Sequence, residues 1–262
     1  MSGAGPDDRA QGTAALRPLV FTDLDDTLFA SRRKQPQGAL QRVTTATNGH
    51  HSYMSPAQEG LFAWLMATAE VIPVTARSSE AFARVHLPFA GPAVLSMGAV
   101  IRHGGALDPE WHARLERIAA DEGARLHEMR GALAAQGPGL RHWIVEEEGL
   151  PVYLCAKANA EAPAAVTEAL AAAAGRLAGL AEEAVAIHVN GNNLSAVPRA
   201  ISKRAAVAHL AETLGAGRPL IGIGDSISDL PFMEMCHMMM MPAGSQIHRA
   251  QQAGTGREVA ER

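Results

Sequence analysis

Four short apolar runs each break off at polar residues suited to chemistry, and no other feature constrains the fold of this chain as tightly. Leu19-Val20-Phe21 runs into Thr22-Asp23-Leu24-Asp25-Asp26-Thr27, and Val71-Ile72-Pro73-Val74 into Thr75-Ala76-Arg77-Ser78. Leu220-Ile221-Gly222-Ile223 runs into Gly224-Asp225-Ser226, and Ala93-Val94-Leu95 stops at Ser96-Met97-Gly98. Runs of this length, apolar throughout and bounded by turn residues, suit parallel strands buried on both faces. Helix signals stand between them. Ser55-Pro56-Ala57-Gln58 offers an N-cap, a proline at the first helical position and a capping-box glutamine, followed by an apolar face at Leu61, Leu65 and Met66. A second helix is expected from about Ser202, with Val207, Leu210 and Leu214 inward and Gly215 as its stop. Strand–helix alternation of this kind implies an α/β fold built on a doubly wound parallel sheet.

The segment from about 100 to 194 changes character. Pro109 to Gln136 reads as a helix with Trp111, Leu115 and Ile118 at helical spacing, and Gly123 is where a break is expected. Two strands, His142–Val145 and Val152–Cys155, follow, then an alanine-rich helix from Ala164 to about Leu180. Val185 to Val197 reads as a hairpin turning around Asn190-Gly191-Asn192. The order helix–strand–strand–helix–strand–strand is that of an α+β domain inserted into the parallel one. The expected organisation is a tail at 1–16, a core of 17–98 and 195–262, and an insertion of 99–194, with the end from Gln251 read as loose.

Composition excludes several classes. In 262 residues, 23 Lys+Arg against 27 Asp+Glu leave a net charge of −4, which gives no electrostatic footprint for nucleic acid. No run approaches the roughly 18–20 uncharged apolar residues of a membrane span, and Met1 to Leu16 lacks a basic segment followed by an apolar one. Cys155 and Cys236 supply neither a disulfide framework nor a CxxC metal pair. A cytoplasmic protein with no membrane partner is expected. Neither GxGxxG nor GxxxxGK[ST] occurs, which removes the commonest nucleotide-binding readings.

Asp23 and Asp25, two apart at the end of an expected strand, share a face while the chain stays extended. Carboxylates so close repel, and a cation or a shared proton must relieve them. Ligands of open α/β sheets bind beyond the carboxyl ends of the strands, where Thr75 and Asp225 are also expected. Lys203, opening a helix, adds positive charge there, and acidic oxygens are what Mg2+ prefers.

These residues carry a resemblance. Asp23-Leu24-Asp25-Asp26-Thr27 matches DxDxT, Thr75 the Ser/Thr motif, Lys203 the basic motif and Gly224-Asp225-Ser226-Ile227-Ser228-Asp229 the acidic motif of the haloacid-dehalogenase superfamily of phosphohydrolases, in the family's order. The resemblance covers about 17–98 and 195–248. It implies a Rossmann-like core, and the α-β-β-α-β-β insertion resembles the type IIB cap of the sucrose, mannosyl-phosphoglycerate and trehalose phosphatases and of phosphomannomutase. By resemblance, Asp23 is the nucleophile, Asp25 the general acid and base, Thr75 a phosphoryl-oxygen ligand, and Lys203 the residue that orients Asp23. Mg2+ would be held by Asp23, the carbonyl of Asp25, Asp225 and Asp229. The implied activity is hydrolysis of a small phosphorylated metabolite, such as a sugar phosphate, through an aspartyl phosphate. A phosphomutase of the same superfamily and a phospho-accepting signalling domain are the alternatives. The chain departs from the pattern at Ser228 and Met97, where relatives often carry Asn.

Thr75, Ala76, His188 and Asn190 are the expected substrate contacts, with Asn192 and Asn193 in the same hairpin, although asparagines there are first of all turn residues. Arg77 is read as a surface residue at a helix start. Val43 to Met54, with Asn48-Gly49, reads as a hairpin flap near the first motif, and Met238–Met241 as a buried strand.

Overall fold

The computed structural model describes residues 16–47, 49–189 and 191–260, with side chains to Ala253. The chain runs through β1 (Leu19–Thr22), β2 (Ala30–Ser31), β3 (Gln41–Arg42), β4 (Ser52–Met54), α1 (Pro56–Thr68), β5 (Glu70–Pro73), α2 (Ser79–Phe82) and β6 (Pro92–Leu95). There follow β7 (Val100–His103), β8 (Ala106–Leu107), α3 (Pro109–Ala134), β9 (Leu140–Glu147), β10 (Leu150–Ala158), α4 (Pro163–Ala181), β11 (Val185–Val189) and β12 (Leu194–Pro198). The last elements are α5 (Lys203–Leu214), β13 (Leu220–Ile223), α6 (Leu230–Met233), β14 (Met238–Met240) and α7 (Gln246–Ala260).

β1 is the middle of a parallel sheet ordered β14-β13-β1-β5, and a parallel bridge from Val74 to Val94 continues it to β6. All four residues of β1 are buried, because helices cover both faces. Leu19 and Phe21 pack with Val207 and Leu210 of α5 and with Phe232 of α6, while Val20 points oppositely, to Phe62 and Leu65 of α1. This is the expected doubly wound core. Its strand order reverses at β1: the chain leaves toward β5 on one side and returns as β13 on the other, which opens a crevice beyond the end of β1. Ser55 caps α1 through the full capping box with Gln58, and Ser202 Oγ caps α5 by accepting from Ala205 N at 3.0 Å.

The inserted segment forms an antiparallel sheet ordered β11-β12-β10-β9. One face packs on α3 and α4 through Leu126, Met129, Leu154, Ala156, Leu170 and Leu177. α4 has the length and apolarity of a membrane span but carries Glu168 and Arg176, and its stripe of Leu170, Ala173, Leu177 and Ala181 is buried against this sheet. The boundary expected at 194/195 falls inside β12, whose whole length to Pro198 belongs to the antiparallel sheet.

Several local expectations change. α3 is unbroken, because Gly123 is buried against β10, where a Cβ would lie 2.9 Å from Pro151 Cγ; the glycine makes room for the sheet. The methionine run forms β14, but at the sheet edge, so Met238 and Met239 are exposed rather than buried. The segment from Gln251 is helical to Ala260, continuing the turn anchored by buried Ile247. β3 and β4 pair beside the first motif as expected, with β2 on the other side of β4; Asn48 lies outside the described residues, as do 1–15.

Gly98 sits at φ +99°, and a Cβ on it would lie 2.3 Å from the carbonyl oxygen of Ser202. The glycine therefore lets the loop after β6 lie against the N-terminus of α5. Gly98→Ala combines a left-handed backbone with a backbone clash, so it should destabilise the protein by about 2–4 kcal/mol. Urea unfolding checks this; an unchanged midpoint would contradict the packing described.

Candidate active site

β1 delivers Asp23 into the crevice with 6% of its surface exposed, its N–H held by the Ile223 carbonyl at 2.8 Å. Asp23 Oδ1 accepts from Lys203 Nζ at 2.7 Å, and its Oδ2 from Thr27 Oγ1 at 3.2 Å. Lys203 Nζ also donates to Asp229 Oδ1 at 2.7 Å, so one buried ammonium joins the ends of three elements. Both oxygens of fully buried Asp229 are engaged, since Oδ2 accepts from Ser226 N at 3.1 Å and Ser226 Oγ at 2.8 Å. The loop after β13 fits only because Gly224 lacks a Cβ, which would fall 2.6 Å from that of Asp229.

Asp23, Asp225 and Asp229 offer carboxylate oxygens all within 4.8 Å of one another. Burial raises Asp23, with Lys203 opposing and Asp229 and Asp25 adding to the rise. Lys203 is held charged: burial works against it, but the two aspartates outweigh that cost. Burial, with Asp229 and Asp26 nearby, pushes Asp225 up to about 6. One ammonium thus faces three crowded carboxylates. A hard divalent cation would relieve what Lys203 leaves unbalanced, and an all-oxygen donor set fits Mg2+.

Thr75 is buried beyond β5, its N–H on the Val94 carbonyl at 2.9 Å and its Oγ1 accepting from Arg77 N at 3.1 Å. Asp25 is half exposed, and Arg77, not counted with the site from sequence, grips it with both arms: Nε to Oδ2 at 2.6 Å and Nη2 to Oδ1 at 2.7 Å. The guanidinium also lies over the Phe29 ring, 5.2 Å from its centroid. Arginine shortly after the Ser/Thr motif was the available signal. Its partner 52 residues away was not visible in the pattern.

A cavity of about 600 Å³ opens between the strand ends and the antiparallel sheet; its walls include Asp23, Asp25, Asp225, Lys203, Ala76 and His188. The Ala76 carbonyl accepts from Tyr153 Oη at 3.2 Å, which ties the two walls together. Burial, with Arg199 adding, pushes His188 down. Asn190 lies outside the described residues. Asn192 is spent on the backbone of Ala158, exchanging hydrogen bonds of 2.7 and 2.9 Å with it, and Asn193 Nδ2 donates to Ser195 Oγ at 3.0 Å. Ser228, at a departure from the family pattern, bonds Ser226 Oγ through its own Oγ at 2.7 Å.

No protein-family model matches the chain, and no curated protein is significantly similar in sequence. Solved structures are similar in fold. The sucrose-phosphatase of Synechocystis, in complex with sucrose and phosphate, is 15% identical at a TM-score of 0.54, over 90% of this chain and 96% of that one. The C-terminal domain of Candida albicans trehalose-6-phosphate phosphatase is 13% identical at 0.54, over 83% of this chain and 73% of that one. A Thermoplasma acidophilum protein is 15% identical at 0.55, over 89% and 88%. The chain has the fold of these proteins, the mixed α/β architecture that its motifs implied.

Because the folded Asp225 titrates near 6 and an unfolded aspartate near 3.8, the metal-free folded chain binds the extra proton between those values. The contribution of Asp225 to stability therefore falls as pH rises through that window. Measured in chelator, the melting temperature of Asp225→Asn relative to the wild type should rise from pH 4 to 6. Equal slopes would contradict the burial and crowding of Asp225.

Proposed function

We propose that the chain is a Mg2+-dependent phosphomonoester hydrolase acting on a small phosphorylated metabolite, of the sugar-phosphate kind, through an aspartyl phosphate on Asp23. The observation that carries the reading is the buried Lys203 bridge, which fixes an Asp23 oxygen at the mouth of the cavity with two further carboxylates beside it. Similarity of fold to a sucrose-phosphatase and a trehalose-6-phosphate phosphatase supports it.

In this reading, residues 17–98 and the chain after Pro198 are the catalytic core, and the segment between them is a cap. A lone pair on one Asp23 carboxylate oxygen attacks phosphorus while the ester P–O bond breaks, and Asp25, protonated, gives the leaving oxygen its proton. Asp25 then takes a proton from water as that water's oxygen attacks phosphorus, which frees Asp23 and releases inorganic phosphate. Both Asp25 oxygens are engaged by Arg77, so this pair must open for Asp25 to reach an ester oxygen. Thr75 supplies a hydroxyl for a phosphoryl oxygen. Lys203 keeps Asp23 oriented and offsets developing negative charge. Asp23, Asp225, Asp229 and the Asp25 carbonyl would hold the cation, which when bound neutralises the phosphoryl oxygens near Asp23. The cap excludes water during attack.

Asp23→Asn should lower phosphate release by at least about 1000-fold, because an amide cannot form the phosphoenzyme, while the melting temperature stays close to the wild-type value. Exhaustive chelation of the wild type should stop turnover, and added Mg2+ should restore it. Phosphate release by Asp23→Asn at near wild-type rate would refute the assignment.

A further inference from the structure

On the antiparallel sheet, one cation that lines the cavity, Lys157, has no ion pair among the described residues. β9 and β10 place Arg141 directly opposite Lys157, and residues opposite one another on antiparallel strands project from the same face. Lys157 lines the cavity, so Arg141 stands beside it on the cavity face of the sheet, exposed at the edge strand. Like charges in directly opposed positions are destabilising. No ion pair relieves either one among the described residues.

Of the acids that line the cavity, all but Asp225 are committed to a cation, and Asp225 belongs to the aspartate cluster with Asp23 and Asp229. Across the cavity, Asp23 is paired with Lys203, Asp25 with Arg77 and Asp26 with Lys34. On β9 the buried carboxylate of Glu147 accepts from Ser79 N at 2.8 Å and from Ser96 Oγ, and it lies six residues from Arg141, about 20 Å along the strand. The sheet lines the cavity with Tyr153, Cys155, Lys157, His188, Asn193 and Ser195, and none of its described lining residues is acidic. From the core, Arg33 also reaches the cavity wall, again with no ion pair among the described residues. A wall built for a neutral polyhydroxylated leaving group needs acceptors as well as donors. This wall supplies hydroxyls, an amide and an imidazole, and beside them a positive charge, Lys157, with no ion pair among the described residues.

We propose that the substrate carries a second anionic group, a carboxylate or a further phosphate, on its leaving-group side, and that Lys157 binds it with Arg141 and Arg33 adding to the positive field. The inference rests on the phosphatase reading and specifies the substrate class of that same site. A ligand of this kind removes the Arg141–Lys157 repulsion when it binds, so local instability of the free protein becomes selectivity for the anion.

The test compares kcat/KM for three phosphomonoesters: 3-phosphoglycerate as the carboxylate, fructose 1,6-bisphosphate as the second phosphate and glucose 6-phosphate as the neutral control. p-Nitrophenyl phosphate serves as a reporter of the chemical step alone. The wild type should favour at least one of the two anionic substrates over glucose 6-phosphate by about 10-fold or more, and whichever it favours identifies the anion. Lys157→Ala should lose that preference while hydrolysing p-nitrophenyl phosphate at the wild-type rate. Lys157→Ala and Arg141→Ala should each melt at or above the wild-type temperature, because each removes an unrelieved repulsion. An equal or higher kcat/KM for glucose 6-phosphate, or a Lys157→Ala enzyme that keeps its preference, would overturn the proposal with the phosphatase reading intact. Failure of the wild type to hydrolyse p-nitrophenyl phosphate would count against that reading instead; anion binding would then be read from the melting temperature, which citrate should raise in the wild type but not in Lys157→Ala.

Discussion

The Lys203 ammonium, buried between Asp23 and Asp229, is the interaction around which the site is assembled. It joins the end of β1, the start of α5 and the loop after β13, three pieces of chain that meet only because the sheet is doubly wound. A buried ion pair is a poor source of stability, since desolvating the partners offsets most of their attraction. Its value here is positional: it holds Asp23 at a fixed point facing the cavity. Two glycines make that geometry possible. Gly98 lets the loop after β6 lie on the N-terminus of α5, and Gly224 lets the loop after β13 close over Asp229.

The same arrangement leaves negative charge in excess. Lys203 compensates one carboxylate fully at most, while Asp225 stands beside Asp229 and Asp26 and is pushed up for that reason. A site so poised favours a ligand that brings positive charge among the aspartates. On the face of the antiparallel sheet that looks onto the cavity the imbalance has the opposite sign, at Lys157 and Arg141. The cavity therefore has an undercompensated aspartate cluster on the β1 side and Lys157, without an ion pair among the described residues, on the sheet opposite.

The core was legible in the sequence because its signals are local. Each strand of the parallel sheet around β1 grows from an apolar run of three or four residues with a chemical residue just past its end, and Ser55 and Ser202 announce α1 and α5 by capping rules that depend on a few neighbouring residues. Asp23, Thr75, Lys203 and Asp225 followed from that placement, and Asp229 from the resemblance of the acidic motif. What sequence reasoning missed was decided by contacts between distant segments. Arg77 reads as a surface residue until the fold sets it against Asp25. Gly123 reads as a helix break until Pro151 is packed against it. Met238 and Met239 read as core until the sheet order puts β14 at an edge. The boundary near 194 failed likewise, because β12 pairs along its whole length with β11.

The account stands on Asp23 as the group that accepts phosphorus. The most direct measurement is mass spectrometry of the wild-type protein, acid-quenched within a single turnover of a phosphomonoester and digested to peptides. The account predicts a labile phosphoryl group on the peptide containing Asp23, lost on treatment with hydroxylamine and missing from Asp23→Asn. Phosphate released at full rate with no phosphoryl group trapped at any time, or with the label on another residue, would contradict it.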